Sequence, residues 1–285
     1  MVVKCSHGIQ PYFDVFDMSE PTAIEVNRSR LYQCKDCGRW FSFLGHKKID
    51  FPAPEVYSEA IECMTFHKRR KNVNKAVVVV DVQGDFTIWK NGSLAVPGTD
   101  EAYIKDVEEA IYDLRMNGYD IYGTQDWHPE NHISFNTSHP GKDPFDTVKI
   151  YGNDVTLWPP HCIKDTENAK ILIDNSVFKR IVQKGTFVGW DSYSGFYTAD
   201  RRLGLVSLKT VLEGILKEAG VDELIVFGLA TDICVKATAI DGVKLGFKVT
   251  IIKSLCRGVD PVTTEKALKE MSKAGVTIVD FLEVV

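Results

Sequence analysis

Short apolar runs alternate with amphipathic segments along most of the chain after residue 74. Runs of mostly branched apolar residues are typical of buried strands. The predicted strands are Ala76–Val80, Ile121–Thr124, Arg180–Lys184, Leu224–Gly228, Lys248–Ile252 and Thr277–Phe281. Apolar residues at helical spacing predict helices at Glu101–Met116, Ser207–Ala219, Thr231–Leu245 and Val262–Lys273. This alternation predicts an α/β domain over residues 75–285, with a mostly parallel sheet and helices on both faces.

The first fifty residues are distinguished by closely spaced cysteine and histidine. The candidate metal ligands there are Cys5, His7, Cys34 and Cys37. Two thiolates on a tight turn, with a second close pair, predict a structural zinc site in a small zinc-ribbon-like domain over residues 1–50. So small a segment buries too little apolar surface to fold without a cross-link such as a bound zinc ion. Reduced thiols or a redox pair are alternatives, and Cys63 with His67 is a rival second pair.

Residues 51–74 have the composition of a linker, with a proline-rich start and a basic run at the end. We interpret the basic run as a solvated linker rather than a nucleic-acid patch, since the net charge of the whole chain is -5. Seven cysteines, an odd number, argue against a disulfide framework and for a reducing compartment. No secretory signal and no apolar stretch near the ~18 residues of a membrane span are present, so we expect a cytoplasmic protein without a membrane partner.

Polar side chains follow four of the predicted strands. Asp81, Asp126, Lys184 and Cys234 stand at or just beyond successive strand ends. Because ligands of an open parallel sheet bind beyond the carboxyl ends of its strands, one crevice could gather a carboxylate, an ammonium and a thiol. That combination indicates a cysteine hydrolase. Taken singly, Asp81 could be a turn cap and Lys184 a surface cation.

Cys234 lies at the start of the helix that follows the strand Leu224–Gly228. Unpaired N–H groups and the positive end of the helix dipole can lower a thiol pKa from ~8.5 into the range of roughly 3.5 to 7.5. We therefore expect Cys234 to be a thiolate nucleophile at neutral pH. The alternative is a small buried hydrophobic residue, which is what many lone cysteines are.

A second cluster of polar residues follows the strand Ile121–Thr124. Its members are Asp126, His128, His132 and, in a later turn-rich segment, His161. Three imidazoles and a carboxylate suit zinc, iron or manganese, with open positions for water or substrate. The sequence thus predicts one divalent metal, with zinc as first choice.

Eight motifs of the chain occur in the order and approximate spacing of one known family. They are VDVQGDF, GSLAVPG, TQDWHPENHISF, WPPHC, QKGT, DSYSGF, GLATDICV and CRGV. Over residues 75–285 the chain resembles the nicotinamidases, metal-dependent amidases of the isochorismatase-like cysteine hydrolase superfamily. The resemblance implies a three-layer α/β/α fold and hydrolysis of nicotinamide, or of pyrazinamide, to the acid and ammonia in NAD salvage. It does not extend to the N-terminal segment.

The resemblance also implies roles for individual residues. Cys234 would be the nucleophile, Asp81 the general acid and base, and Lys184 the cation beside them. The N–H groups of Ala230 and Cys234 would form an oxyanion hole, with a cis peptide bond between Leu229 and Ala230. The expected substrate contacts are Phe86, Trp158 and Tyr193, and the expected metal ligands are Asp126, His128, His132 and His161. The metal would hold the pyridine nitrogen of the substrate.

Two other functions remain open from the sequence. One is an amidohydrolase of the same superfamily with a different amide substrate. The other is a zinc-dependent interaction module on a vestigial hydrolase scaffold. We expect a small-molecule substrate in either enzyme, no nucleic-acid partner, and leave a homo-oligomer open.

Overall fold

The computed structural model describes residues 75–198 and 208–281 in full and, before residue 75, the backbone of six strands. The chain divides into two units, Met1–Val73 and Asn74–Val285. The strands of the first unit are β1 (Val2–Cys5), β2 (Gly8–Pro11), β3 (Ile24–Val26), β4 (Ser29–Gln33), β5 (Trp40–Leu44) and β6 (Lys47–Phe51). They form an antiparallel pair, β1 with β2, and an antiparallel sheet in the order β3-β4-β5-β6.

The predicted zinc site of the first unit falls on residues whose side chains are not described. His7, Cys34 and Cys37 lie outside the described residues, and of Cys5 only the backbone is described. The rival pair, Cys63 and His67, also lies outside them. The zinc-ribbon-like domain and the linker over residues 51–74 therefore stay predictions.

The second unit is built on a six-stranded parallel sheet. Its strands are β7 (Lys75–Val80), β8 (Asp120–Asp126), β11 (Arg180–Lys184), β12 (Glu223–Leu229), β13 (Lys248–Arg257) and β14 (Thr277–Val279). Their spatial order is β11-β8-β7-β12-β13-β14, and every neighbouring pair is parallel. All six correspond to predicted strands, so the α/β fold class is confirmed.

Both faces of the central strand are covered. Residues 76–80 of β7 are consecutive and each is at most 2% exposed. Because successive side chains of a strand point to opposite faces, such a run requires packing on both sides.

The described residues of this unit include four helices that accompany the sheet: α1 (Glu101–Met116), α2 (Leu212–Glu218), α3 (Lys236–Lys244) and α4 (Pro261–Lys273). Asp100 caps the start of α1, since its carboxylate accepts from the Tyr103 N–H at 3.0 Å, and the apolar stripe of the helix includes Val107 and Ile111. Asp260 caps α4 in the same way, and Pro261 is the first residue of that helix. Within the described residues no helix is long and apolar enough to cross a membrane.

Helix α2 is shorter than predicted at its start. The sequence predicted a helix from Ser207, whereas the helix begins at Leu212. Lys209 instead forms an isolated bridge with Tyr197, and the Thr210 hydroxyl accepts the N–H of Leu212 at 3.1 Å. A short antiparallel hairpin, β9 (Thr147–Ile150) and β10 (Asn153–Thr156), was not predicted at all.

Successive strands are added to the sheet in one direction from β7 and in the opposite direction from β12. From β7 the chain proceeds through α1 to β8, and from β12 it proceeds the opposite way through α3 and α4 to β13 and β14. Right-handed crossovers running in opposite directions leave their helices on opposite faces of the sheet. The point where the strand order reverses opens a crevice beyond the carboxyl ends of β7 and β12, the place where α/β proteins bind ligands.

Candidate active site

The strand register aligns the predicted site residues along one edge of the sheet. Lys184, the last residue of β11, pairs with Asp126 at the end of β8. Val80 of β7 pairs with Thr124 on one side and with Gly228 on the other, so Asp81 follows directly at the crevice. Cys234 lies five residues beyond the end of β12. The structure therefore brings together the thiol, the carboxylate and the ammonium that the sequence placed on separate strands.

The ammonium of Lys184 is the centre of this charge cluster, and it is fully buried. Its Nζ lies 2.5 Å from Asp126 Oδ1, 2.9 Å from Asp81 Oδ2 and 3.5 Å from Cys234 Sγ. It also donates to the Ser192 carbonyl at 3.2 Å. Burial opposes the charge, but Asp126 and Asp81 outweigh it and hold the pKa of Lys184 well above its usual value. Lys184 is therefore a permanent cation.

Both oxygens of the Asp81 carboxylate are held by neighbouring side chains. The Asp81 backbone is in the left-handed region at φ 48°, and its Oδ1 accepts from the Thr124 hydroxyl at 2.6 Å. Oδ2 is paired with the Lys184 ammonium at 2.9 Å. Burial raises the pKa of Asp81 despite the nearby Lys184. Such a carboxylate can accept and return a proton.

Cys234 lies in a π-helical turn, Thr231–Val235, that leads into α3. The peptide bond between Leu229 and Ala230 before this turn is cis, as predicted. The predicted low thiol pKa is wrong. Burial raises the pKa of Cys234 well above its ordinary value, and Asp81 and Asp126 add to that effect against Lys184. Burial in this site therefore disfavours the thiolate of Cys234, and the single cation, Lys184, does not offset that effect.

Asp126, His128 and His161 form a buried group whose ligand atoms all lie within 4.8 Å of one another. His128 Nδ1 lies 2.9 Å from the Gly185 carbonyl, and His161 Nδ1 lies 2.8 Å from the Pro159 carbonyl. Because a carbonyl oxygen only accepts, both Nδ1 atoms donate, and in the neutral rings Nε2 keeps its lone pair. Burial and, to a lesser extent, the neighbouring His128 lower the pKa of His161 to about 4. His161 is therefore in the neutral form that a metal requires, whereas, against the effect of burial, Asp126 raises the pKa of His128, so that a metal bound there would displace a proton as the pH falls.

The fourth predicted ligand, His132, belongs to an overlapping group with His128 and Asp191. Its Nε2 lies 2.9 Å from the Trp190 carbonyl, and its Nδ1 lies 2.7 Å from the Ser134 hydroxyl. Both ring nitrogens are thus engaged by protein atoms in this structure. Whether His132 also binds a metal stays a prediction.

Two polar residues that support the site were not singled out in the sequence. Thr124 holds Asp81, as described above, and stands two residues before Asp126 on the same face of β8. Gln83 is fully buried; its amide donates to the Asp126 and Ala169 carbonyls at 2.8 and 2.7 Å, and its oxygen accepts from the Asp126 N–H at 2.8 Å. The signal for both was a polar residue at the end of a predicted strand or within three residues after it.

The predicted aromatic substrate contacts lie around these groups. The ring of Phe86 is 5.6 Å from that of His161. Trp158 Nε1 donates to the Tyr193 hydroxyl at 3.2 Å, and both residues line a cavity of about 430 Å³. This cavity is also lined by Asp232 and Ile233, next to Cys234, but not by the charge cluster itself. The cavity therefore adjoins the cluster.

Comparison with known proteins places residues 75–281 in a described family, since they match the model of the isochorismatase domain. The chain belongs to the isochorismatase domain family. A nicotinamidase from Acinetobacter baylyi is 41% identical over 213 residues, covering 73% of this chain and 94% of that protein. Both the match and the fold therefore refer to the second unit, and the first unit lies outside the matched residues.

Solved structures give the same relationship within the family. A pyrazinamidase of Pyrococcus horikoshii in complex with zinc is 35% identical, with a TM-score of 0.60, over 73% of this chain and 99% of that one. A yeast nicotinamidase bound to the inhibitor nicotinaldehyde is 30% identical, with a TM-score of 0.65, over 73% of this chain and 100% of that one. The chain thus spans nearly the full length of its relatives.

Proposed function

We propose that this protein is a nicotinamidase, which hydrolyses nicotinamide to nicotinate and ammonia through a thioester on Cys234. The observation that carries the proposal is the contact of one buried ammonium, Lys184, with Asp81, Asp126 and Cys234 beside a group of metal-ligating side chains. Relatives named nicotinamidase or pyrazinamidase that are at least 30% identical support the choice of an aromatic carboxamide as substrate.

The residues around Asp126 fit a divalent metal. A buried carboxylate and two imidazole Nε2 lone pairs converge there, and both imidazoles are oriented by carbonyl groups through Nδ1. Asp126, His128 and His161 would hold the ion, with His132 as the fourth predicted ligand. When bound, the metal supplies a Lewis acid that can coordinate the pyridine nitrogen and orient the ring. Zinc is our first choice, with iron and manganese as alternatives.

The first half of the reaction is acylation. Asp81 removes the proton of the Cys234 thiol, and the sulfur attacks the carboxamide carbon. The resulting oxyanion would be held by two backbone N–H groups, that of Ala230, which belongs to the cis peptide bond, and that of Cys234 in the π-helical turn. Asp81 then returns its proton to the departing nitrogen, so that ammonia leaves and a thioester remains.

The second half is hydrolysis of the thioester. Asp81, again a carboxylate, takes a proton from water, and the hydroxide oxygen attacks the acyl carbon. The carbon–sulfur bond breaks to release nicotinic acid, which loses its proton to solvent as nicotinate, and the proton on Asp81 returns to the sulfur. Lys184 keeps its proton throughout, because its pKa is held well above the usual value. Its role is to hold Asp81 and Cys234 together and to favour the developing negative charge on sulfur.

The raised pKa of the Cys234 thiol agrees with this order of events. A thiol whose ionisation is opposed by burial needs a base at the moment of attack, and the Asp81 carboxylate lies beside the same ammonium as Cys234. Phe86, Trp158 and Tyr193 would pack against the ring. Stacking on aromatic side chains contributes roughly 0.5–1.5 kcal/mol beyond burial.

The decisive experiment measures ammonia release from nicotinamide by the purified full-length protein, with bound metals quantified on the same sample. We expect turnover of nicotinamide and pyrazinamide, but not of simple ureido compounds. Cys234→Ala should abolish ammonia release while leaving the metal content unchanged. The proposal fails if metal-loaded protein does not hydrolyse nicotinamide, and the covalent route fails if Cys234→Ala retains substantial turnover.

Measuring the metal content of variants also tests which residues bind metal in each of the two proposed sites. His128→Ala should lose one equivalent of metal and raise the KM for nicotinamide. If residues 1–50 hold a structural zinc, as we propose, a Cys34→Ser, Cys37→Ser variant should lose a different equivalent and keep its activity on nicotinamide. Full metal content in that double variant would argue against the N-terminal site.

A further inference from the structure

Three consecutive residues of one loop contact the site, although the proposed mechanism uses none of them. The Trp190 carbonyl lies 2.9 Å from His132 Nε2, and the Ser192 carbonyl accepts from Lys184 Nζ at 3.2 Å. Between them, the carboxylate of Asp191 lies with the ring nitrogens of His128 and His132, all within 4.8 Å of one another. The loop therefore joins the metal-ligating side chains to the catalytic cation.

Within the described residues, Asp191 is buried without a lysine or arginine partner. Its side chain belongs to a residue only 8% exposed, and its Oδ1 accepts from the Ser192 N–H at 2.8 Å. The titratable groups that lie against it are the imidazoles of His128 and His132. A buried carboxylate far from water is costly unless a positive charge balances it. Its position against two imidazoles points to a cation at that place.

At this site the buried carboxyl groups outnumber the buried ammonium groups. Lys184 contacts Asp81 and Asp126, whereas Asp191 lies against the two histidines and forms no ion pair with that ammonium. A divalent ion at Asp126, His128 and His161 would bring a positive charge next to Asp191, and a neutral side chain at this position would not balance that charge.

We propose that Asp191 is a positioning residue of the metal site, whose negative charge holds the divalent ion bound by Asp126, His128 and His161. The inference rests on the proposed function, since it takes the metal site from it. Asp191 acts on the ion through its charge and on His132 through the loop that also carries Trp190. Outer carboxylates of this kind change metal affinity by roughly 10- to 100-fold when they are removed.

The test measures metal affinity of the metal-free full-length protein. Zinc is titrated into wild type, Asp191→Asn and Asp191→Ser in competition with a chromophoric chelator. Asparagine keeps the shape of the side chain, and serine keeps an acceptor for the Ser192 N–H, so at least one neutral variant should fold. Asp106→Asn, on the exposed face of α1, is the matched control that removes a charge elsewhere.

We expect both neutral variants to bind the site zinc at least about 10-fold more weakly, with Asp106→Asn unchanged. At saturating zinc their kcat should approach the wild-type value, whereas a purely structural defect would lower kcat at every zinc concentration. Zinc affinity within twofold of wild type in a folded neutral variant overturns the role of Asp191. Failure of wild type itself to bind zinc or to release ammonia would instead overturn the proposed function.

Discussion

The carboxylate of Asp81 lies 2.9 Å from the ammonium of Lys184, and neither side chain is reached by solvent. Asp126 contacts the same ammonium, so one buried cation neutralises two carboxylates. Removal of one partner from a buried ion pair leaves the other charges uncompensated and costs roughly 3–5 kcal/mol. We therefore expect Lys184→Met to lower the free energy of unfolding by about that amount, as measured by urea denaturation.

The control is a lysine whose ion pair is exposed. Lys105 pairs with Glu101 at 3.1 Å on the surface of α1, where solvent screens the interaction. Lys105→Met should cost no more than about 0.5 kcal/mol. Equal unfolding free energies for the two variants would contradict the view that the buried ion pairs of Lys184 stabilise the fold.

The hydrogen bond from Thr124 should set the acid limb of the pH profile. Burial raises the pKa of Asp81, and the Thr124 hydroxyl, 2.6 Å from Oδ1, works against that rise. Thr124→Val removes the hydroxyl and so raises this pKa further. Because the proposed base is the carboxylate, activity is lost as the pH falls through its pKa. The acid limb of kcat/KM should thus move to higher pH.

Thr238→Val provides the comparison for that profile. Thr238 is also fully buried, but its hydroxyl accepts from the Gly195 N–H at 2.9 Å and does not contact Asp81. Its loss should reduce stability while leaving the acid limb where it is. If the pH profiles of Thr124→Val and wild type are identical, Asp81 is not the base whose ionisation sets the acid limb.

Local patterns predicted most of the second unit because its strands are buried on both faces. The run Ala76–Val80 is apolar throughout, and the observed strand β7 differs from it by one residue. The missed hairpin also had a local signal: Tyr151 and Gly152, both at positive φ, form the two-residue turn between Ile150 and Asn153. The strand alternation of Thr147–Ile150 was too short to distinguish from a loop.

The site was harder to predict because its energetics depend on distant neighbours. Strand ends gave Asp81, Lys184 and Cys234, since topology alone brings such ends together. The thiol pKa was predicted in the wrong direction, because the extent of burial is set by packing that local sequence does not encode. Asp191 was overlooked for the same reason: only the folded loop places it against His128 and His132.

The carboxylate of Asp232 connects the π-helical turn that contains Cys234 to α4 through hydrogen bonds. Asp232 accepts from the Thr263 hydroxyl at 2.5 Å and from the Val259 N–H at 3.0 Å, and it precedes Cys234 by two residues. Thr263→Val should cost about 1 kcal/mol of stability and lower kcat more than it changes KM. In a double-mutant cycle with Asp232→Asn we expect a coupling energy of roughly 0.5 kcal/mol or more. Strictly additive effects would show that the two side chains act independently.

The close approach of β12 to β7 sets the spacing between the nucleophile and its base. Gly228 has φ +126°, and a Cβ there would lie 2.2 Å from the Val80 carbonyl oxygen, one residue before Asp81. Gly228→Ala adds both backbone strain and a clash, so we expect a loss of at least about 3 kcal/mol in unfolding free energy, together with loss of turnover.

Gly214 offers the matched substitution inside helix α2, where an added Cβ meets nothing within 4 Å. Gly214→Ala should raise stability by about 0.5–1 kcal/mol, because alanine loses less backbone entropy than glycine on entering a helix. Urea denaturation and ammonia release on both variants separate the two cases. Wild-type stability and turnover in Gly228→Ala would mean that β7 and β12 can separate without disturbing the positions of Asp81 and Cys234.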